Sequence, residues 1–286
     1  MKRALLVAFA GSVGFACLGT PTPLAPGLDG SVGVPHRGVL TRAVELGRSG
    51  PGYVRYRPQG AYYWGTPELV GVIEAAARRV VDECGNGSLL VVGDLSARRG
   101  GRIERHQSHR TGRDADLLFY VMSPGGAPLA SPGFVSFGAD GLAPVPGTRQ
   151  FVRFDVERNW QLVKACLTSS RASVQRLYVS HELEALMIDY ARARGEDAAL
   201  VWHAEMVLTE PGDSAPHDDH FHLRVACTRQ QAIGGCDGGG PYWDWLPPLP
   251  ELDPTEAEVP GGELLSARRL TASRADAVLA GLSAMR

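Results

Sequence analysis

Three of the eight histidines in this 286-residue chain, His217, His220 and His222, fall within six residues, in the stretch Pro-His-Asp-Asp-His-Phe-His-Leu-Arg-Val at 216–225. Imidazole is the commonest metal-binding side chain and titrates close to neutrality, so this crowding points to a metal centre with proton transfer beside it. A second dense cluster lies earlier: His106-Gln-Ser-His109, followed by Asp114 and Asp116. Catalytic zinc takes three protein ligands and leaves a fourth position for a water, whose pKa it brings to about 7. His109 with Asp116 from one segment and His222 from the other supply such a set, one ion per chain. His220 then stands beside the ion, placed to take a proton from the water and pass it to a leaving amine.

Positioning such a set requires particular elements. As a strand, residues 216–225 place His220, His222 and Arg224 on one face and Phe221, Leu223 and Val225 on the other, which grips a core. The seven-residue step from His109 to Asp116 does not suit one helix face, so the first pair comes from a loop and the strand it enters, Asp114 to Met122. Upstream, Thr66-Pro67-Glu68 announces a helix that runs to Cys84 and stops at Gly85. Leu89 to Val92 reads as a buried strand. The basic Gly-rich run at 97–102 lacks the Gly-Lys-Ser/Thr ending of a phosphate loop and reads as a loop into the first histidine cluster. Further helices are expected over Asp155–Leu167 and Glu182–Arg194, with a short strand at Leu177–Ser180. The implied fold class is α+β, a mainly antiparallel sheet core with flanking helices.

The composition is that of an ordinary globular chain, 44% hydrophobic and 21% charged, and a net charge of -2 gives no field that favours nucleic acid or an anionic membrane. Residues 1–17 read as an export signal, with a basic start and an apolar run too short to span a bilayer. Cys17 stands where a lipoprotein signal places its acylated cysteine, although Gly14 replaces the usual Leu; a membrane tether through Cys17 and plain cleavage nearby are both open. Residues 18–55 read as a Gly/Pro-rich tether, 56–246 as the catalytic domain with a long insertion at 123–148, and 247–286 as linker and tail. The insertion is either a substrate-facing flap or a surface loop. In an oxidising, extracytoplasmic compartment the remaining cysteines are expected to pair as Cys227–Cys236 and, by elimination, Cys84–Cys166.

The segments 93–101, His106-Gln-Ser-His-Arg-Thr-Gly-Arg-Asp-Ala-Asp116 and His217-Asp-Asp-His-Phe-His-Leu-Arg224 resemble those of the penicillin-insensitive murein endopeptidases, within the wider group of lysostaphin, D-Ala-D-Ala peptidases and hedgehog domains. The resemblance covers about residues 60–240. It implies a periplasmic zinc peptidase with His109, Asp116 and His222 as ligands and His220 as general base. His217 would assist by binding substrate or steadying an oxyanion, and His106 would sit behind the ligands or against substrate. Some relatives use the position of His106 in a second metal site completed by an Asp-x-x-His segment; here Asp155 is followed by Arg158, so one zinc is expected. The implied substrate is peptidoglycan, cut at the D-Ala to meso-diaminopimelate cross-link without an active-site serine. A D,D-carboxypeptidase or dipeptidase on the same stems, or a non-catalytic wall-binding module, are the alternatives. Arg110, Arg113 and Arg224 are each candidates to hold a substrate carboxylate, and spacing does not choose among them.

Overall fold

A computed structural model describes residues 30–246 except 213, 239, 241 and 242. The export signal, Cys17 and the 247–286 tail lie outside the described residues. The chain opens with a hairpin, β1 (Gly30–Val34) and β2 (Arg37–Thr41), followed by the short strands β3 (Val44–Glu45), β4 (Ser49–Gly50), β5 (Tyr53–Arg55) and β6 (Trp64–Gly65). This corrects the tether expected at 18–55, at least from Gly30 on. Gly- and Pro-rich sequence with weak alternation hides strands whose backbone groups are satisfied by cross-strand pairing. The hairpin is a brace: Pro35 O accepts from Arg110 N at 3.1 Å, Arg99 O from Leu40 N at 3.0 Å, and Val39 bridges Gly100.

Helix α1 (Pro67–Cys84) begins as its sequence dictates: the Thr66 hydroxyl accepts from Leu69 N, Pro67 occupies the first turn, and Gly85 closes the end. Leu69, Ile73, Ala76, Ala77 and Val80 recur at helical spacing and are buried. Next come β7 (Leu90–Val92), β8 (Asp114–Leu118), β9 (Val121–Met122), β10 (Pro128–Leu129), β11 (Leu142–Pro144) and β12 (Phe151–Phe154), then α2 (Val156–Leu167), β13 (Val174–Tyr178), α3 (His181–Ala193), α4 (Ala198–Val207), β14 (Leu208–Thr209), β15 (His220–Val225) and α5 (Arg229–Ile233). Helix α4 escapes periodicity because Ala-Ala-Leu-Val-Trp-His-Ala-Glu-Met-Val has no polar face.

The main sheet has seven strands in the order β14-β13-β15-β8-β7-β5-β4. Pairing is antiparallel except at β13–β14 and β5–β7, so the molecule is α+β with a mainly antiparallel sheet. One sheet face enters the core through Ala115, Leu117, Phe221, Leu223 and Val225, packed with Leu69, Ile73, Trp160 and Leu183 of the helices. Each fully buried side chain of this size contributes about 2 kcal/mol.

The insertion at 123–148 is neither plain loop nor free flap. It supplies β10 and β11 to an antiparallel four-stranded sheet with β9 and β12, and buries Val135 and Phe137.

Cys227 and Cys236 form a disulfide, but Cys84 and Cys166 are free thiols, which corrects the second expected bridge. Cys84 ends α1, with its carbonyl taken by Arg158 at the first turn of α2, whereas Cys166 is buried two turns further along α2. Burial alone pushes the Cys166 thiol up to about 12.

Candidate metal centre and peptidase cleft

The two central strands bring the clusters together. In the β8–β15 register Asp116 lies opposite His222 and Asp114 opposite Arg224. Alternation therefore puts both carboxylates on the face that carries the imidazoles and the guanidinium. His109 arrives from the preceding loop in a left-handed conformation, φ 60°. That is an uncommon state for a residue with a side chain, and the turn is fixed from both sides. Asp114 Oδ2 accepts from His109 N at 3.2 Å, and the buried Ser96 hydroxyl donates to His109 O while accepting from Gly112 N at 3.0 Å.

The outcome is a triangle of donor atoms. His109 Nε2 is 3.2 Å from Asp116 Oδ1 and 3.3 Å from His222 Nδ1, and His222 Nδ1 is 3.4 Å from Asp116 Oδ1. Tetrahedral ligands at the usual zinc bond lengths lie about 3.3–3.6 Å apart. Asp116 Oδ1 is buried and has no hydrogen-bond partner among the described residues, an arrangement that is costly without a cation. The far side of each ring is anchored: His109 Nδ1 to Leu95 O at 2.6 Å, and His222 Nε2 to Asp114 Oδ1 at 3.1 Å. Such outer hydrogen bonds fix the tautomer and aim of metal-binding imidazoles. The residues present fit one small cation with nitrogen and oxygen ligands.

His220 stands on the rim. Its Nε2 is 3.3 Å from Asp116 Oδ1, while Nδ1 is held by the Asp219 carboxylate. Burial would lower its pKa, but the facing Asp116 and Asp219 carboxylates raise it to about 10; a cation held by Asp116 would offset the larger of those two charges and return the ring towards the neutral form a base needs. Asp116 is raised by burial and lowered by His109 and His220, which win and hold it well below the ordinary carboxylate range. His217, also left-handed at φ 56°, is brought down to about 4 by burial and by the neighbouring His220 and His222. Its Nδ1 is 2.8 Å from Ala215 O, and its ring is 5.0 Å from that of His220. His106 lies beside the centre, Nε2 3.3 Å from Asp94 Oδ2 and Nδ1 3.8 Å from Asp116 Oδ2. Asp155 is spent on capping α2 and pairing with Arg158 at 2.9 Å.

An open cleft of about 1190 Å³ runs past these groups. Aromatic side chains that the sequence did not single out form part of its walls. Phe134, from the insertion, meets the His220 ring edge-on at 5.2 Å and Tyr56 at 5.2 Å; Tyr178 flanks His217 and His222. Gly93 packs close here: a Cβ would sit 3.0 Å from Asp116 Cβ and 3.2 Å from Phe134 Cζ, so a larger residue would displace these groups by a few tenths of an ångström. No spacing signal marks Phe134 or Tyr56, since each reaches the cleft from an element far away in sequence.

A protein from Haemophilus influenzae named penicillin-insensitive murein endopeptidase is 25% identical over 84% of this chain and 81% of its own length. Proteins of the same name from Klebsiella pneumoniae and Escherichia coli are 34% identical over 41% of this chain, spanning 42% and 43% of theirs. The family model described as penicillin-insensitive murein endopeptidase matches residues 31–241, which takes in the bracing hairpin, both clusters and the disulfide. The chain belongs to the penicillin-insensitive murein endopeptidase family.

Proposed function

We propose that the protein is a zinc-dependent peptidoglycan endopeptidase that hydrolyses the D-Ala to meso-diaminopimelate cross-link between stem peptides, outside the cytoplasm. Family membership supports peptidoglycan as substrate. The observation that carries the metal assignment is the buried Asp116 Oδ1 at the corner of the His109–His222 triangle, crowded by imidazole nitrogens yet with no hydrogen bond of proper geometry. His109 Nε2, Asp116 Oδ1 and His222 Nδ1 would hold the ion. When bound, zinc supplies a Lewis acid and a water acidic enough to lose its proton near neutrality.

The chain's own side chains account for the rest. Asp219 holds the His220 ring at Nδ1, which leaves Nε2 beside Asp116, where the ion and its water would sit. Nε2 takes the water's proton and returns it to the amine of the departing stem. A carbonyl only accepts, so the contact to Ala215 O places a proton on His217 Nδ1 and leaves Nε2 as an acceptor. His217 therefore suits receiving a substrate N–H better than donating to an oxyanion. Phe134 and Tyr178 pack edge-on against the His220 and His222 imidazoles.

Cross-linked muropeptide dimers incubated with purified protein, with and without a chelator, test this reading. The expected products are two separate stems whose masses show cleavage of the cross-link, with loss of activity on chelation and recovery with zinc. Release of free D-Ala without stem separation would make it a carboxypeptidase. No cleavage at all would make it a binding module.

A further inference from the structure

Three arginines were candidates for binding a substrate carboxylate, and the structure separates them. Arg113 is fully buried and spent on Ser31, Gln175 and the carbonyls of Val225 and Asp237. Arg224 is committed to Asp114 at 2.6 Å. Arg110 is different: it borders the cleft, is half-buried, and its Nε is shut off from solvent with no hydrogen-bond partner among the described residues. Arg105, on the same loop and exposed, also borders the cleft. Neither meets a carboxylate within ion-pair distance among the described residues, whereas Arg57 on the same cleft already faces Asp94 at 3.7 Å. A half-buried guanidinium without a partner calls for an anion, and its planar fork matches a carboxylate.

We infer that Arg110, with Arg105 of the same loop also bordering the cleft, forms a carboxylate-binding subsite for the stem that departs as the amine. This rests on the peptidase reading. The chemistry of the cross-link agrees, because the nitrogen of the scissile amide is borne by a diaminopimelate carbon that also carries a free carboxylate. An anion therefore lies next to the bond to be cut. The loop that delivers His109 to the metal centre would, through Arg110 next in sequence, set the register of the substrate against it.

Two synthetic cross-linked dimers, differing only in whether that carboxylate is free or amidated, test the inference on the zinc-loaded full chain. The wild type should favour the free acid by about tenfold or more in kcat/KM, the scale expected of charge-assisted hydrogen bonds. Arg110→Gln and Arg105→Gln should each reduce that ratio, and the double variant should bring it near one, with the change carried by KM. Arg110→Lys should restore part of it, since an ammonium keeps the charge but not the fork. Melting temperature and metal content establish that the variants are folded; Arg105→Gln, at an exposed position, keeps the test available if Arg110→Gln is unstable. A wild-type ratio near one, or a preference that survives in the double variant, would overturn the subsite and leave the peptidase standing. Cleavage of neither dimer would overturn the peptidase reading and the subsite with it.

Discussion

Asp116 Oδ1 is the atom on which the site converges, within 3.4 Å of nitrogens from His109, His220 and His222. Three imidazoles around one carboxylate oxygen leave two readings of His220, ligand or base, and the Asp219 carboxylate on its second nitrogen is compatible with both, since ligating imidazoles are anchored in the same way. The proposed base role predicts that His220→Ala keeps its metal and loses about 10²- to 10⁴-fold in kcat, checked by metal analysis alongside the muropeptide assay; loss of the metal would make His220 a ligand. Asp114 touches His109 N, His222 Nε2 and Arg224 Nε but not the donor triangle itself. Asp114→Asn should weaken metal affinity by about 10- to 100-fold without abolishing it, as measured by competition with a chromogenic chelator.

At the scale of elements, the strands and loops that aim these side chains are held by contacts remote from them. Gly38 in β2 packs so closely on the loop after His109 that a Cβ would meet Thr111 Cγ2 at 2.4 Å and Val32 O at 2.1 Å. Gly38→Val should cost on the order of 1–3 kcal/mol in stability and weaken metal binding, seen by thermal melting and metal titration together. Unchanged metal affinity would mean that the hairpin does not brace the site. Glu196 accepts from Trp160 Nε1 at 3.0 Å and from Lys164 Nζ at 2.7 Å, which ties α2 to the turn after α3. Burial raises its carboxyl, but the Lys164 and Trp160 donors outweigh that and lower it below its ordinary value. A depressed carboxylate adds stability above its unfolded pKa, and this is lost as pH falls through the folded value. Glu196→Gln should cost about 1 kcal/mol at neutral pH, a difference that closes as denaturation is repeated towards acid pH.

Across the whole molecule, what could be read from sequence was what local rules encode. Thr66, Pro67 and Gly85 bracket α1, and alternation in 220–225 separates the metal-side face from the core face. The hairpin at 30–41 and the small sheet carrying the insertion were not legible because their Gly- and Pro-rich segments alternate weakly, and α4 was not because its apolar run, broken only by His203 and Glu205, shows no polar stripe. The bridge between Cys84 and Cys166 failed as an expectation because parity of cysteines says nothing about where two helices place them. The site itself divides in the same way: its titratable groups announce themselves in the sequence, while Phe134 and Tyr56 do not. The account rests on one ion shared by residues from two distant segments, and metal content per chain by elemental mass spectrometry tests it most directly. It predicts about one zinc in the wild type and in His220→Ala, and none retained after desalting in Asp116→Ala or His222→Ala. A full complement of zinc in either of the latter two would contradict it.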